Sequence, residues 1–237
     1  MEEQTVLENP QLGPLARLWG VIVSPTRTFT YLRDNPTWLL PFIIVAIATT
    51  LFAWRVSPLG LEERKKMILQ SEKIPQEKKE EIIQKMEEKG GRDWKVIVFT
   101  PLGLLLVLVV QAGVFYFGAS LLLGGEGSFR QVFSTCNYAN FITIPALLIR
   151  TPLILAKNTL HIQTGLALLL PTEASKSLPY RFLAHFDFFQ IWTLILISIG
   201  ISAIYGFNPK KSAGMVFSWW LLWIILSLAL RSLFKVF

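Results

Sequence analysis

The apolar positions along this chain fall into five long, nearly uncharged runs, and the polar positions gather between them. The clearest pair lies near the C-terminus. Phe188–Phe207 and Ser212–Leu230 are separated only by the basic turn Asn208-Pro209-Lys210-Lys211. Each run is long enough to cross a hydrocarbon core of roughly 30 Å at about 1.5 Å per residue, and so short a connection predicts an antiparallel helical hairpin in a bilayer. Three further runs, at about 37–54, 96–123 and 131–155, meet the same criterion of length and missing charge. The expected fold is all-α, a polytopic five-span transmembrane bundle. The apolar stretch Gly165–Leu170 is too short to cross and reads as a re-entrant or interfacial piece.

Two segments break this pattern. Within residues 1–36, Leu15, Leu18, Trp19 and Ile22 recur at helical spacing, and Ser24-Pro25 has the form of an N-cap followed by a first-turn proline. Phe29 and Leu32 extend an apolar face that Asp34-Asn35-Pro36 stops. The pattern predicts an amphipathic lead-in lying at the membrane interface, with Arg17, Arg27 and Arg33 reaching headgroups, or else an ordinary helix packed on the bundle. Residues 55–95 are dense in both signs of charge. Met67 and Ile68 lie on one short helical pattern interrupted at Ile74-Pro75, and Ile82, Ile83 and Met86 on a second ended by Gly90-Gly91. Glu62–Lys66 and Glu81–Lys85 are spaced as favourable i,i+4 pairs. This segment is expected to be a soluble helical arm, either a solvated hairpin or a docking element.

Composition agrees with a chain built for lipid. Hydrophobic residues make up 52% and charged residues 16%, with a mean hydropathy of +0.48, which argues against a soluble globular protein. The opening residues, with Glu2, Glu3 and Glu8, lack the basic, apolar form of a cleavable signal peptide, so the first span is expected to serve as the insertion signal. The single cysteine, Cys136, excludes an internal disulfide or a cysteine-based zinc site. A net charge of +7 would suit nucleic acid, but the basic residues flank apolar spans or mix with acids. The expected partners are therefore the bilayer and its anionic headgroups, not nucleic acid.

Charge also bears on orientation. Of 23 Lys and Arg, six fall on the N-terminal side of a five-span topology and seventeen on the other, eleven of these between Arg55 and Lys95. Positive-inside counting puts the arm in the cytoplasm, although nine acids nearly balance its basic residues.

The search for chemistry finds no catalytic constellation and implies no cofactor. His161 and His185 lie in no zinc-protease pattern. Gly124-Gly125-Glu126-Gly127 lacks the Lys-Ser/Thr ending of a phosphate loop and is expected to be a flexible turn. The candidate polar and packing residues lie elsewhere. Asn137, Tyr138 and Asn140 cluster in the third span ahead of Pro145, where the asparagines can bond across helices and the proline frees a carbonyl. They serve either as helix–helix glue or as part of a substrate path. Arg150 near the span's end reads as an interface anchor with Lys157, and Asp187 or His185 could pair with Arg150 or Arg181. Ser198, Ser202 and Gly206 form a small-xxx-small-xxx-small ridge for close helix approach. Trp38, Trp54 and Trp94 sit at expected span ends as an aromatic belt, while Trp219, Trp220 and Trp223 lie deeper.

Several of these motifs carry a resemblance. Phe186–Lys211, with its Asp187, Ile191-Trp192, Gly200 and Lys210-Lys211, resembles the fourth span and turn of the Yip family, the Ypt/Rab-interacting membrane proteins. Tyr138-Ala139 followed by Ile144-Pro145 is similar to the family's third span, and Ser24-Pro25…Phe29…Leu32…Pro36…Leu40-Pro41 resembles the lead-in of prokaryotic members. The charged arm fits those members too. The resemblance implies a five-span bundle without known catalytic residues. Eukaryotic relatives assist vesicle trafficking and bind Rab-type GTPases or one another, and some prokaryotic relatives are linked to ABC-type export systems. It further implies a prokaryotic plasma-membrane protein with a cytoplasmic N-terminus, against the Lys/Arg count. The functional expectation is a non-enzymatic scaffold or accessory protein with a membrane-protein partner or a second copy of itself. The alternative is a transporter or accessory subunit of an export system.

Overall fold

The computed structural model describes residues 12–71, 74–88, 94–171 and 177–234. The acidic residues Glu2, Glu3 and Glu8 and the Gly90-Gly91 helix end lie outside them. The described residues are helical, with no strand beyond an isolated bridge between Gly165 and Asp187. They comprise α1 (Pro14–Val23), α2 (Pro25–Asp34), α3 (Leu39–Gln70), α4 (Gln76–Glu88), α5 (Lys95–Tyr116), α6 (Phe129–Ala139), α7 (Thr143–Lys157), α8 (Leu178–Leu183), α9 (Phe188–Tyr205) and α10 (Pro209–Phe234). Five stretches are long and apolar enough to cross a membrane: Leu39–Gln70, Lys95–Leu122, Phe129–Lys157, Phe188–Tyr205 and Pro209–Leu230.

The helix α9 is the axis of the bundle. Its apolar window is 44% buried, against 11–22% for the other four spans, and it packs on α10, α2 and α6. The other spans turn wide apolar faces outward, as Phe99, Leu102 and Leu106 do on α5, where lipid tails rather than water are the matching solvent. The α9–α6 crossing is close because Gly200 lacks a side chain: a Cβ there would stand 2.2 Å from Thr135 Cγ2. Gly206, expected on the packing ridge, instead ends α9 in the left-handed conformation (φ 64°) and meets nothing. Of the ridge residues, Ser198 is buried and bonds Leu194 O, and Ser202 bonds Phe207 O across the helix end. The close approach falls at Gly200, two residues from both Ser198 and Ser202 and so on another face of the helix, because it depends on which face α6 meets.

The lead-in also differs from a purely interfacial element. In α2, Phe29 and Leu32 are buried in the core against α9. Ser24 does occupy the N-cap of α2, but its hydroxyl makes no capping bond there. Arg17 turns inward, donating from Nη1 to Thr37 Oγ1 at 2.9 Å and lying over the Tyr31 ring. Only α1 keeps an outward apolar stripe, with Leu15 76% and Trp19 66% exposed.

The first span does not stop near Trp54. The helix α3 continues through Pro58 to Gln70, so bilayer segment and arm are one helix. Proline cannot donate to the carbonyl four residues earlier, and the Ser57 hydroxyl occupies that carbonyl, Trp54 O, at 3.0 Å. The α4 helix folds back on α3. Lys65, rather than Lys66, takes Glu62 (3.1 Å) and reaches across to Glu87 (3.0 Å), while Lys79 is buried with its Nζ donating to Leu69 O at 2.9 Å. The expected Glu81–Lys85 pair forms, and the hydrogen bond from Lys85 holds the Glu81 carboxyl below its ordinary range.

The third span is broken where Pro145 requires it. A 3-10 turn, Asn140–Ile142, separates α6 from α7, because Pro145 has no N–H for Phe141 O and its ring crowds that carbonyl. The glycine turn before α6 is packed: a Cβ on Gly125 or Gly127 would strike the Tyr205 ring. The expected flexible turn is thus pinned under the end of α9, where Tyr205 Oη also lies 2.8 Å from Ser120 Oγ.

Candidate functional site

The break in the third span positions the site. Below it, α6 is buried among α5, α9 and α2. Above it, α7 takes its packing from α3, leaving space on its other side toward α9 and α10. That space is a cavity of about 410 Å3. Asn140 and Thr143 lie at its inner end and Arg150 near its mouth, about 10–15 Å apart along the helix. Thr193 and Gln190 line it from α9, Trp220 and Trp223 from α10, and Ile162–Thr164, Ala184, His185 and Asp187 from the connecting segment.

Asp187 organises the mouth. It is the N-cap of α9, and its Oδ1 accepts from Phe189 N at 3.0 Å and Gln190 N at 3.2 Å, as a cap with an acidic side chain should. Its Oδ2 accepts from the Thr164 hydroxyl and forms an ion pair with Arg150 Nη2 at 2.6 Å. Arg150 Nε donates to Thr164 Oγ1 at 2.9 Å, and the guanidinium lies over the Phe189 ring. The bridge between Gly165 and Asp187, with Leu166 N donating to Phe186 O at 3.0 Å, anchors the short apolar turn Leu166–Leu169 beside the pair. Arg150 is thus an ion-pair partner of Asp187. His185 Nε2 lies 3.5 Å from Ser227 Oγ.

The arm reaches the same rim. Glu63 Oε1, on α3, accepts from Thr159 Oγ1 at 3.1 Å and Leu160 N at 2.8 Å, and Oε2 lies 3.7 Å from His161 Nε2. Glu63 therefore holds the stretch that runs on to Ile162–Thr164.

The remaining candidates separate. Asn140 bonds across helices, from Nδ2 to Gln111 Oε1 on α5 at 2.8 Å, and also to Cys136 O. Asn137 is fully buried and donates to Phe133 O within its own helix, and its Oδ1 has no hydrogen-bond partner among the described residues. Tyr138 is buried away from the cavity, its hydroxyl 3.2 Å from Thr37 Oγ1. Pro145 shapes the break but does not line the space. Gln111, Thr143, Thr164 and Glu63 also take part, none of them marked by a sequence motif. The polar Gln111 within an apolar run was the one visible signal; the others needed the fold.

Residues 19–231 match the family model of the Yip1 domain. Membrane protein YknW of Bacillus subtilis (strain 168) is 24% identical over 208 residues, covering 87% of this chain and 83% of that protein. No solved structure matches. The family match extends from α1 to the end of the last span and takes in both sides of the Arg150–Asp187 pair, so this chain belongs to the Yip1-domain family of membrane proteins.

Proposed function

We propose that this protein is a non-enzymatic membrane scaffold that presents a rigid charged arm to a membrane-associated partner. The observation that carries the reading is the continuity of α3 from the bilayer into the arm. The fourteen or so residues beyond Val56 project roughly 20 Å at 1.5 Å per residue. The arm is braced by Lys65–Glu87 and by Glu63 at the cavity rim, so load on it is transmitted to the bundle. Beside its charges it carries an open groove between the two helices, lined by Arg64, Met67, Ile68, Ile74 and Met86. The three hydrogen bonds and the ion pair that engage Asp187 support a structural use of that carboxylate.

The test is co-purification from native membranes in a mild detergent. A defined partner should accompany the wild-type chain and be lost from Met67→Glu, which places a charge in the groove without touching the bundle. A solitary monomer in both preparations overturns the proposal. We place the N-terminus in the cytoplasm, following the family resemblance, which puts the arm outside. Lys78→Cys, on the exposed face of α4, should then react with an impermeant thiol reagent in intact cells, and protection overturns this orientation. A second reading, a transporter or accessory subunit of an export system, is favoured by the cavity reaching Asn140. It predicts that Asn140→Leu abolishes flux while the arm variant does not.

A further inference from the structure

We propose that the cavity between α7 and the α9–α10 pair binds the phosphodiester headgroup of a membrane phospholipid, with Arg150 as its anchor. The hydrogen-bond accounting at the mouth points to an acceptor-rich anion. Asp187 is engaged on both oxygens, by the first turn of α9 on one and by the Thr164 hydroxyl and the Arg150 ion pair on the other. Arg150 keeps donors to spare. Its Nε donates to Thr164 and its Nη2 faces Asp187 as an ion pair, while neither Nη1 nor Nη2 makes a hydrogen bond among the described residues. The amides of Gln163 and Gln190 border the same space. A guanidinium held in one orientation by its other nitrogens is preorganised for the parallel bonds that a phosphate accepts.

The rest of the cavity fits a lipid better than a free ion. Its walls beside Arg150 are apolar, formed by Ala146 and Leu147 on α7 and by Trp220 and Trp223 on α10. Trp223 is 61% exposed and Leu148, the next residue on α7, is 71% exposed, so both flanks continue onto the lipid-facing surface. An acyl chain can follow that path while the phosphate stays at Arg150. The level is also right. Arg150 lies about two turns inside the end of α7 and pairs with the N-cap of α9, where an apolar span begins. At a volume of about 410 Å3 the cavity is within the range of small-molecule sites. The proposal is independent of the scaffold reading, because it concerns the bundle and not the arm.

Native mass spectrometry of the full chain in detergent supplies the test, using phosphatidylglycerol, phosphatidylethanolamine, diacylglycerol with the same tails, and glycerol 3-phosphate. The expected result is one retained phospholipid per chain, no retained diacylglycerol, and no competition from millimolar glycerol 3-phosphate. Arg150→Gln should lower retention at least tenfold. Because that change also strips Asp187 of its partner, Thr143→Phe is the companion variant; it fills the inner cavity and leaves the ion pair in place, and should lower retention by a similar factor. Equal retention of phospholipid and diacylglycerol, or retention unchanged by Thr143→Phe, would mean annular lipid only and overturn the proposal. Displacement by glycerol 3-phosphate would overturn it in favour of a soluble phosphate ligand. Selectivity for the phosphorylated lipids that is lost in both variants supports it.

Discussion

Gly200→Ala tests the architecture at its tightest point. The added methyl would stand 2.2 Å from Thr135 Cγ2, 3.1 Å from Thr135 Oγ1 and 3.2 Å from Phe29 Cδ1. All three atoms belong to side chains that are themselves buried, Phe29 at 0% and Thr135 at 1% exposure, so neither can swing into open space. Relief requires α9 to move away from α6 and α2. Overpacking of this kind costs about 1–3 kcal/mol, while replacing a mid-helix glycine by alanine returns up to about 1 kcal/mol of helix propensity. The net expectation is a loss of about 1–2 kcal/mol, roughly five- to thirtyfold in the folding equilibrium. Cys136 provides the assay. It is the only cysteine in the chain and is fully buried on α6, so a thiol-reactive dye reports unfolding in detergent with no engineered probe. The labelling midpoint should fall for Gly200→Ala and recover when Thr135→Ser, which removes Cγ2, is added. Gly103→Ala and Gly113→Ala, where a Cβ meets nothing within 4 Å, should label at or above the wild-type midpoint. A Gly200→Ala midpoint equal to those controls, or no recovery with Thr135→Ser, would refute the packing argument.

Three other outcomes follow from the site. Asp187→Asn keeps an N-cap acceptor but removes the charge that Arg150 faces. It should cost about 1–2 kcal/mol in the same assay, and a double cycle with Arg150→Gln should show coupling, whereas additive losses would mean no working ion pair. Asn140→Leu breaks the bond to Gln111 and should cost roughly 0.6–2 kcal/mol; Asn137→Leu removes a buried oxygen without a protein partner and should cost less, and the reverse order contradicts the assignment. Glu63→Ala frees Thr159 and Leu160 from the arm, so amide exchange over residues 159–164 should quicken while exchange in α9 does not.

The relation between sequence and structure differs from element to element. The last hairpin was legible because length, missing charge and the short basic turn leave one arrangement in lipid. Asp187 was legible as a partner for Arg150 because both fall on one side of a five-span topology, and a charge near the hydrocarbon seeks its opposite. The packing ridge was not. Ser198, Ser202 and Gly206 share a spacing, yet the neighbour α6 crosses at Gly200, and spacing alone carries no information about which face a neighbour meets. The end of the first span was equally hidden. Trp54 and the onset of charge suggested a stop, but Ser57 supplies the bond that Pro58 withholds and the helix runs on.

By itself, then, the sequence determined the solvent, the number of crossings, the all-α class and the family, because hydropathy and local motifs are properties of contiguous residues. The tertiary structure decided what those helices do to one another. It turned α2 into the core, closed α6 against α9, held α7 away from α10 and gathered Asn140, Arg150, Thr164 and Asp187 around one cavity. Those relations join residues far apart in the chain through rotations and tilts that no local pattern records.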